Sequence, residues 1–197
     1  SGLLLEEILE QVYNDFRDFI PYDRVGFALL EDDGNVLKSH LAKTEYQPVL
    51  LGRHYLGYMA GSSLEKILHS GKPRIINDLE AYLQLKPSSE STRLIVNEGI
   101  QSSLTCPLIA NGVPVGFIFF SSRKKNTYAR EHIELYLQIA GQLSVIVEKG
   151  RLVSELAAQK EKIEQQYQQV RHLMEMQNTF MGIAAHDLRS PIASIQS

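Results

Sequence analysis

The stretch from Ala129 to Ser190 is about sixty residues long and contains no proline and only three glycines. Because a globular helix averages about 11–12 residues, a helix of this length needs a partner that covers its apolar side chains. The intervening positions are rich in Gln, Glu, Lys and Arg. The stretch therefore predicts one long helix that leaves a globular part and pairs with another helix.

From residue 153 onward, apolar side chains recur with a period of seven, which is typical of a coiled coil. The a positions are Val153, Lys160, Tyr167, Met174, Met181 and Leu188, and the d positions are Leu156, Ile163, Val170, Gln177 and Ala184. Carried backward, the register places Lys149 and Gln142 at d, so the heptad breaks near Gly150. We interpret the break as a phase shift between a domain helix and a dimeric coiled coil.

The chain upstream of the long helix reads as an α+β domain, with an antiparallel sheet flanked by helices. The predicted helices cover residues 3–19, the segment from residue 62 to Gly71, and residues 88–98. The predicted strands cover residues 24–31, 35–42, 73–76, 103–109 and 113–120, with Asn111-Gly112 as a hairpin turn. Residues 43–61 show no period and are interpreted as a long connection, a kind of segment that is often functional.

Composition excludes several classes of protein. A net charge of -3 gives no support for a nucleic-acid partner. The longest apolar stretch, residues 113–120, is too short to span a membrane. The single cysteine, Cys106, can form neither an internal disulfide nor a thiolate metal site, so we expect no metal and a cytoplasmic location. Membrane segments further upstream in a longer protein remain open.

Four segments occur in an order that resembles a GAF domain: residues 20–24, 71–79, 99–109 and 112–116. The resemblance covers about residues 4–148, and it agrees with the predicted sheet. It implies a cavity between the sheet and the irregular connection. Members of that family bind cyclic nucleotides, bilins, haem or other small molecules there, and many bind nothing, so an unidentified small-molecule ligand and a role in dimerisation or relay alone both stay open.

Six residues are candidates for lining such a cavity, and four of them are tyrosines, which offer an apolar body with one polar group. They are Phe27, Tyr46, Tyr55, Tyr58, Tyr82 and Cys106. Cys106 alternates with Leu104 and Leu108 in a predicted strand, so its first interpretation is that of a core residue. Redox sensing is the second.

The segment His186-Asp187-Leu188-Arg189-Ser190-Pro191 resembles the H box of sensor histidine kinases. The resemblance implies that His186 accepts a phosphoryl group from ATP and passes it to a response-regulator aspartate. It also implies that Asp187 orients the imidazole and acts as acid or base. Ser190 occupies a position where that family often has Thr or Asn, which leaves phosphatase activity open. The heptad places His186 at an f position, away from the helix–helix seam.

These observations predict three parts: a GAF-like sensor at 1–148, a coiled-coil signalling helix at 149–178, and the truncated start of a phosphoacceptor helix at 179–197. The expected partners are a second copy through the long helix and a response-regulator receiver domain. We expect no cofactor in this chain, with ATP and Mg bound by a domain beyond Ser197, so that the chain alone is not an active kinase. The alternative is a non-catalytic GAF module for dimerisation or ligand binding, whereas a small redox enzyme is disfavoured by the single cysteine.

Overall fold

The computed structural model describes Glu7, Glu10, Gln11 and residues 13–195, apart from the side chains of residue 139 and residues 185–195. The chain forms two compact units, residues 2–152 and residues 153–197. The first unit holds the sheet and the shorter helices, and the second is helical. Helical backbone at Glu7, Glu10, Gln11 and residues 13–15 agrees with the first part of the N-terminal helix predicted over 3–19, whose other positions up to residue 12 lie outside the described residues. Residues 16–19 form turns, so the helix ends earlier than predicted.

The first unit is built on a six-stranded sheet in which every neighbouring pair is antiparallel. Its strands are β1 (Arg24–Glu31), β2 (Val36–Thr44), β3 (Leu56–Tyr58), β4 (Arg74–Ile76), β5 (Ser102–Ala110) and β6 (Val113–Ser122). Their spatial order is β3-β2-β1-β6-β5-β4. The predicted α+β class and both predicted hairpins, β1–β2 and β5–β6, are confirmed.

In the described part of the chain, four α-helices follow or interrupt the strands: α1 (Ser63–Ser70), α2 (Leu79–Leu85), α3 (Glu90–Asn97) and α4 (Arg130–Ile195). A short 3-10 helix, Asp32–Gly34, joins β1 to β2. The Ser62 hydroxyl accepts a hydrogen bond from the Leu64 N–H, and Gly71 ends α1 in a left-handed conformation, as the sequence predicted. Asp78 caps α2 by accepting from the Ala81 N–H. The predicted long helix is confirmed as α4.

The face of the sheet beneath α4 carries the main core. The sheet contributes Val25, Phe27, Leu29, Leu104, Cys106, Leu108, Ile118 and Phe120. The N-terminal segment contributes Tyr13 and Phe16, and α4 contributes Tyr136, Leu143 and Val147. Strand alternation produces this set, because every second residue of β1 and β5 points to the same face. Full burial of each large apolar side chain stabilises the fold by about 1.5–3 kcal/mol.

The opposite face of the sheet carries a smaller core. Its buried members are Ala28, Leu37, Met59, Ile67 and Phe117. Helix α1 covers part of this face, and Ile67 is the buried residue of that helix. The small core leaves the rest of the face available for a cavity.

The structure differs from the sequence prediction in the connection after the first hairpin. Strand β2 continues to Thr44, and β3 forms at the edge of the sheet within residues 43–61, which had been interpreted as a connection without strands. A strand of three residues is too short to show a period of two, and its pairing with β2 is a tertiary interaction. The local sequence therefore carried no signal for β3.

Gly116 lies on β6, opposite Leu29 of the neighbouring strand β1. A Cβ atom at this position would lie 2.2 Å from the carbonyl oxygen of Ala28 and 2.9 Å from the Cα of Leu29. Both neighbours are backbone atoms of a central strand, so neither can move aside without distorting the sheet. Only glycine allows this close approach of two strands.

We therefore expect Gly116→Ala to lower the free energy of unfolding by at least about 2 kcal/mol, because the added methyl group overpacks the sheet. Urea denaturation of the purified variant measures the change. Gly52→Ala is the matched control, since nothing lies within 4 Å of a Cβ there, and it should stay within about 0.5 kcal/mol of the parent. Equal stability of both variants would contradict the packing described for Gly116.

Candidate functional site

A cavity of about 730 Å³ lies on the face of the sheet opposite α4. The strands supply its floor, and α1, α2, α3 and the segment around β3 supply its walls. The floor side chains are Arg24, Ala28, Leu37, Ser39, Arg74, Ile76, Ser103, Thr105 and Phe119. On β1 and β5 they alternate with the residues of the main core, so one sheet has an apolar face under α4 and a mixed face in the cavity.

Arg24, one of the residues that line the cavity, belongs to a buried ion pair. The Arg24 Nε and the Glu98 Oε2 are 3.2 Å apart, and the two side chains are 1% and 0% exposed. This N–H is not aligned for a hydrogen bond, so the contact is an ion pair, while the Nη2 of Arg24 donates to the Leu51 carbonyl at 2.6 Å. Gly26 makes room for the guanidinium, because a Cβ there would lie 3.0 Å from Arg24 Nη1.

Glu98 also holds the β2–β3 loop, residues 45–55. Its Oε1 accepts hydrogen bonds from the backbone N–H groups of Leu50 at 2.8 Å and Leu51 at 2.7 Å. Its Oε2 accepts from the Tyr46 hydroxyl at 2.8 Å. Each oxygen of the buried carboxylate is thus satisfied, as a buried charge requires. One side chain at the end of α3 therefore fixes a loop that forms part of the cavity wall.

A second polar cluster lies inside the cavity, on β4 and the two helices above it. The Nη1 of Arg74 donates to the Ser63 Oγ at 2.8 Å, and the Tyr82 hydroxyl donates to the same oxygen at 3.0 Å. The Arg74 guanidinium lies over the Tyr82 ring, 5.7 Å from its centroid. Burial lowers the pKa of Arg74 from its ordinary value. The cluster joins α1, α2 and the sheet.

The structure places three of the predicted tyrosines at the cavity. Tyr55, Tyr58 and Tyr82 line it. Tyr58 is 82% exposed and lies at the mouth, whereas burial raises the pKa of the half-buried Tyr55. Phe27 also borders the cavity, although its side chain packs with the main core on the other face. Ligand binding by these residues stays a prediction.

The structure does not bring the other two predicted residues to the cavity. Tyr46 binds Glu98 and faces the guanidinium of Arg123, 5.3 Å from its ring centroid. Cys106 is fully buried in the main core, and burial raises the pKa of its thiol well above the ordinary value. Its alternation with Leu104 and Leu108 had already favoured that core position over a place at a ligand.

Sequence reasoning missed the charged residues of the cavity. Arg24 and Arg74 each begin a strand, and Glu98 follows a helix, so each reads locally as an exposed residue at the end of an element. The only local signal was that Arg24 precedes a run of apolar strand residues without a break. The partners of these charges are far away in sequence, and only the fold brings them together.

The second candidate site, the histidine segment, lies in the helical unit. The backbone is helical through His186, Asp187 and Ser190, and α4 ends at Ile195. Their side chains lie outside the described residues, so the predicted roles are not tested by the geometry. Upstream of them, every side chain from residue 155 to residue 183 is exposed.

The described part of the chain holds neither a cluster of metal-ligating side chains nor a membrane-spanning helix. Among these residues, no group of three or more His, Cys, Asp or Glu side chains is placed to hold a metal ion. No helix that the structure describes is long and apolar enough to cross a membrane.

We expect Glu98→Ala to lower the free energy of unfolding by about 3–5 kcal/mol, because it leaves the Arg24 charge buried without its partner. The same change should release residues 45–55, which limited proteolysis would detect as faster cleavage in that loop. Lys125→Met is the control, because Lys125 pairs with Asp78 and Glu80 at the surface. This change should have little effect on the free energy of unfolding or on cleavage of the loop. Unchanged stability and cleavage in Glu98→Ala would contradict the role of the buried pair.

Comparisons with known proteins agree with this architecture. A search of curated proteins finds no significant match. The GAF domain of a two-component sensor histidine kinase from Bacillus halodurans aligns with a TM-score of 0.60 and 14% identity, covering 76% of this chain and 97% of its own. The type II free methionine-R-sulfoxide reductase of Thermoplasma acidophilum aligns with a TM-score of 0.56 and 21% identity, covering 74% and 95%.

A light-absorbing GAF domain has the same fold as well. The PixJ GAF domain of Thermosynechococcus elongatus, in its blue-light absorbing form, aligns with a TM-score of 0.59 and 14% identity, covering 79% of this chain and 91% of its own. Identities this low show a shared fold and nothing about a shared ligand. The family model described as a GAF domain matches residues 3–148. Because that match covers most of the sequence, the chain belongs to the GAF domain family.

Proposed function

We propose that this chain is the sensory and phosphoacceptor part of a two-component sensor histidine kinase. The observation that carries the proposal is helix α4, which begins as a core helix of the GAF domain and runs in helical backbone through the H-box segment. A helix is a direct physical link between an input domain and the residue that would be phosphorylated. The cytoplasm, where ATP and receiver domains are found, is the expected location.

Dimerisation is supported by the apolar surface of α4 beyond residue 153. The a and d side chains Leu156, Ile163 and Tyr167 are 66%, 65% and 63% exposed. Exposure of a row of apolar side chains to water is unfavourable, and pairing with an identical helix would bury them in a self-complementary interface. We therefore assign the heptad from Val153 to Met181 to a parallel seam between two copies of the chain.

The apolar surface broadens before the H box. Leu173, Met176, Phe180 and Ile183 are exposed as well, and in the same register they lie at g and c positions outside the two-helix seam. A dimeric coiled coil covers a and d but leaves c exposed. The broadening supports a bundle of more than two helices around His186, as the H-box resemblance implies.

His186 would be the phosphoacceptor. A free imidazole titrates near pH 6.5, so at neutral pH most of it carries the lone pair that attacks phosphorus. Its f position lies on the side of the helix opposite the seam. On that side, an ATP-binding domain with its Mg ion and a receiver domain can each approach the ring. Asp187 would orient the ring through the second nitrogen, and Ser190 would bind water weakly at the phosphatase position.

The cavity would be the input site, holding a small-molecule ligand. A ligand shifts an equilibrium only if it binds two conformations differently. The central strands β1 and β6 contact the cavity on one face and α4 on the other, so a change of sheet geometry reaches the helix directly. The heptad break near Gly150 is the place where two packings of the helix would differ.

A second candidate function is a non-catalytic GAF module that binds a ligand or dimerises. The observation that favours it is that every residue lining the cavity lies between Arg24 and Phe119, so the cavity does not depend on the H box. In that case His186 would be an ordinary surface residue. Phosphorylation distinguishes the two proposals.

For phosphorylation, the chain joined to the ATP-binding domain of a sensor kinase should gain acid-labile, base-stable label from ATP. His186→Gln should abolish the label, because no other nitrogen nucleophile would occupy the acceptor position. His172→Gln is a matched control, since this histidine lies on the same helix, also at an f position, and the label should persist. Label that survives in His186→Gln would refute the assignment.

For dimerisation, Val170→Cys should form disulfide-linked dimers under mild oxidation, because Val170 occupies a d position of the proposed seam. Gln165→Cys, at an f position, should remain largely unlinked. Cys106 is buried and should not interfere. Non-reducing electrophoresis measures both, and equal linking at 165 and 170 would argue against this register.

A further inference from the structure

The cavity contains a charge for which the described residues provide no counter-ion. Arg74 forms no ion pair with a carboxylate in the described part of the chain; its hydrogen bond goes to the neutral Ser63, and its Nε has no partner although it is buried. An arginine carries five N–H donors, and the described residues accept from one of them. A partly desolvated guanidinium of this kind favours an anion.

The other charges of the cavity balance one another. Arg24 is neutralised by Glu98. The remaining charged lining residues are Lys66, Lys86, Glu65 and Glu90, two of each sign. The formal surplus of the cavity is therefore one positive charge, and Arg74 carries it. The two carboxylates would repel an anionic ligand, and the two lysines offset this repulsion.

Ser63 adds a second donor beside Arg74. Its oxygen already accepts hydrogen bonds from Arg74 and from the Tyr82 hydroxyl, which occupy its acceptor capacity. Its own O–H is left to donate. The same contacts hold the guanidinium in place, so the donors are preorganised before a ligand arrives.

The rest of the cavity suits an apolar body. Leu37, Met59, Ile76, Leu79, Ile95 and Phe119 line it. A volume of about 730 Å³ lies within the range of small-molecule pockets, which combine mostly apolar walls with a few polar groups.

We propose that the cavity binds a small organic acid, whose carboxylate or phosphate group pairs with Arg74 and Ser63 while its apolar part packs against the Phe119 side of the floor. The inference rests on the proposed role of the cavity as the input site and names the class of ligand. The shared chemistry is a single anionic oxygen group on an apolar body.

The test compares benzoate, phenyl phosphate and benzyl alcohol, which share one ring and differ in the charged group. Nuclear magnetic resonance titration of the full chain follows the Arg74 Nε–H signal and gives dissociation constants. At least one anion should bind ten times more tightly than benzyl alcohol and shift that signal, and the tighter of the two anions identifies the carboxylate or the phosphate. Arg74→Met should weaken that anion at least tenfold, roughly the value of one charge-assisted hydrogen bond, and leave benzyl alcohol unchanged.

Arg130→Met is the matched control, because Arg130 is exposed and pairs with Glu134 on α4, outside the cavity. Ser63→Ala should weaken the anion by a smaller factor and serves if Arg74→Met fails to fold. The inference is overturned if benzyl alcohol binds as tightly as both anions, if neither anion gives a saturable shift, or if neither Arg74→Met nor Ser63→Ala changes anion binding. Phosphorylation of His186 is measured separately, so anion binding without phosphorylation would reject the kinase proposal and keep this one.

Discussion

The buried ion pair between Arg24 and Glu98 is the interaction on which the cavity depends. Two desolvated charges are tolerated only because each has its partner and because Glu98 also accepts from two backbone N–H groups and a tyrosine hydroxyl. These contacts fasten the β2–β3 loop and the end of α3 to the central strand β1. An apolar pair of similar size would give comparable stability. It would not position the β2–β3 loop, because the loop is held by its hydrogen bonds to the Glu98 carboxylate.

The two faces of β1 serve different purposes, since one packs in the core and the other borders the cavity. On one face, alternate residues of β1 pack beneath α4; on the other, Arg24 and Ala28 form the floor of the cavity. Gly116 lets β6 pack closely against the backbone of β1, so we expect a displacement of one strand to be transmitted to the other. A ligand that favours one geometry of this pair would act on α4 without touching it. This is the physical basis for the proposed relay to His186.

Much of the fold was readable from local patterns. The cavity and three of its tyrosines were expected from the family resemblance and from residue type, but its charged residues were not. Alternation in β1, β5 and β6 and the turn at Asn111 predicted the hairpins, and the absence of proline between Ala129 and Ser190 predicted the long helix. Alternation also predicted that Cys106 is a core residue. The edge strand β3 and the pairing of Arg24 with Glu98 depend on contacts between distant segments, which leave no local period. Tyr46 shows that residue type alone does not identify a ligand-binding residue. Its type suited a ligand site, but in the structure its hydroxyl donates to Glu98.

Occupancy of the cavity is proposed to control the phosphorylation of His186. The most direct measurement is the rate of phosphoryl transfer to His186, in the chain joined to an ATP-binding domain, with and without the anion that binds the cavity. We expect the anion to change this rate in the parent protein and to leave it unchanged in Arg74→Met. A rate that is the same with and without the anion in the parent, at saturating concentration, would contradict the coupling.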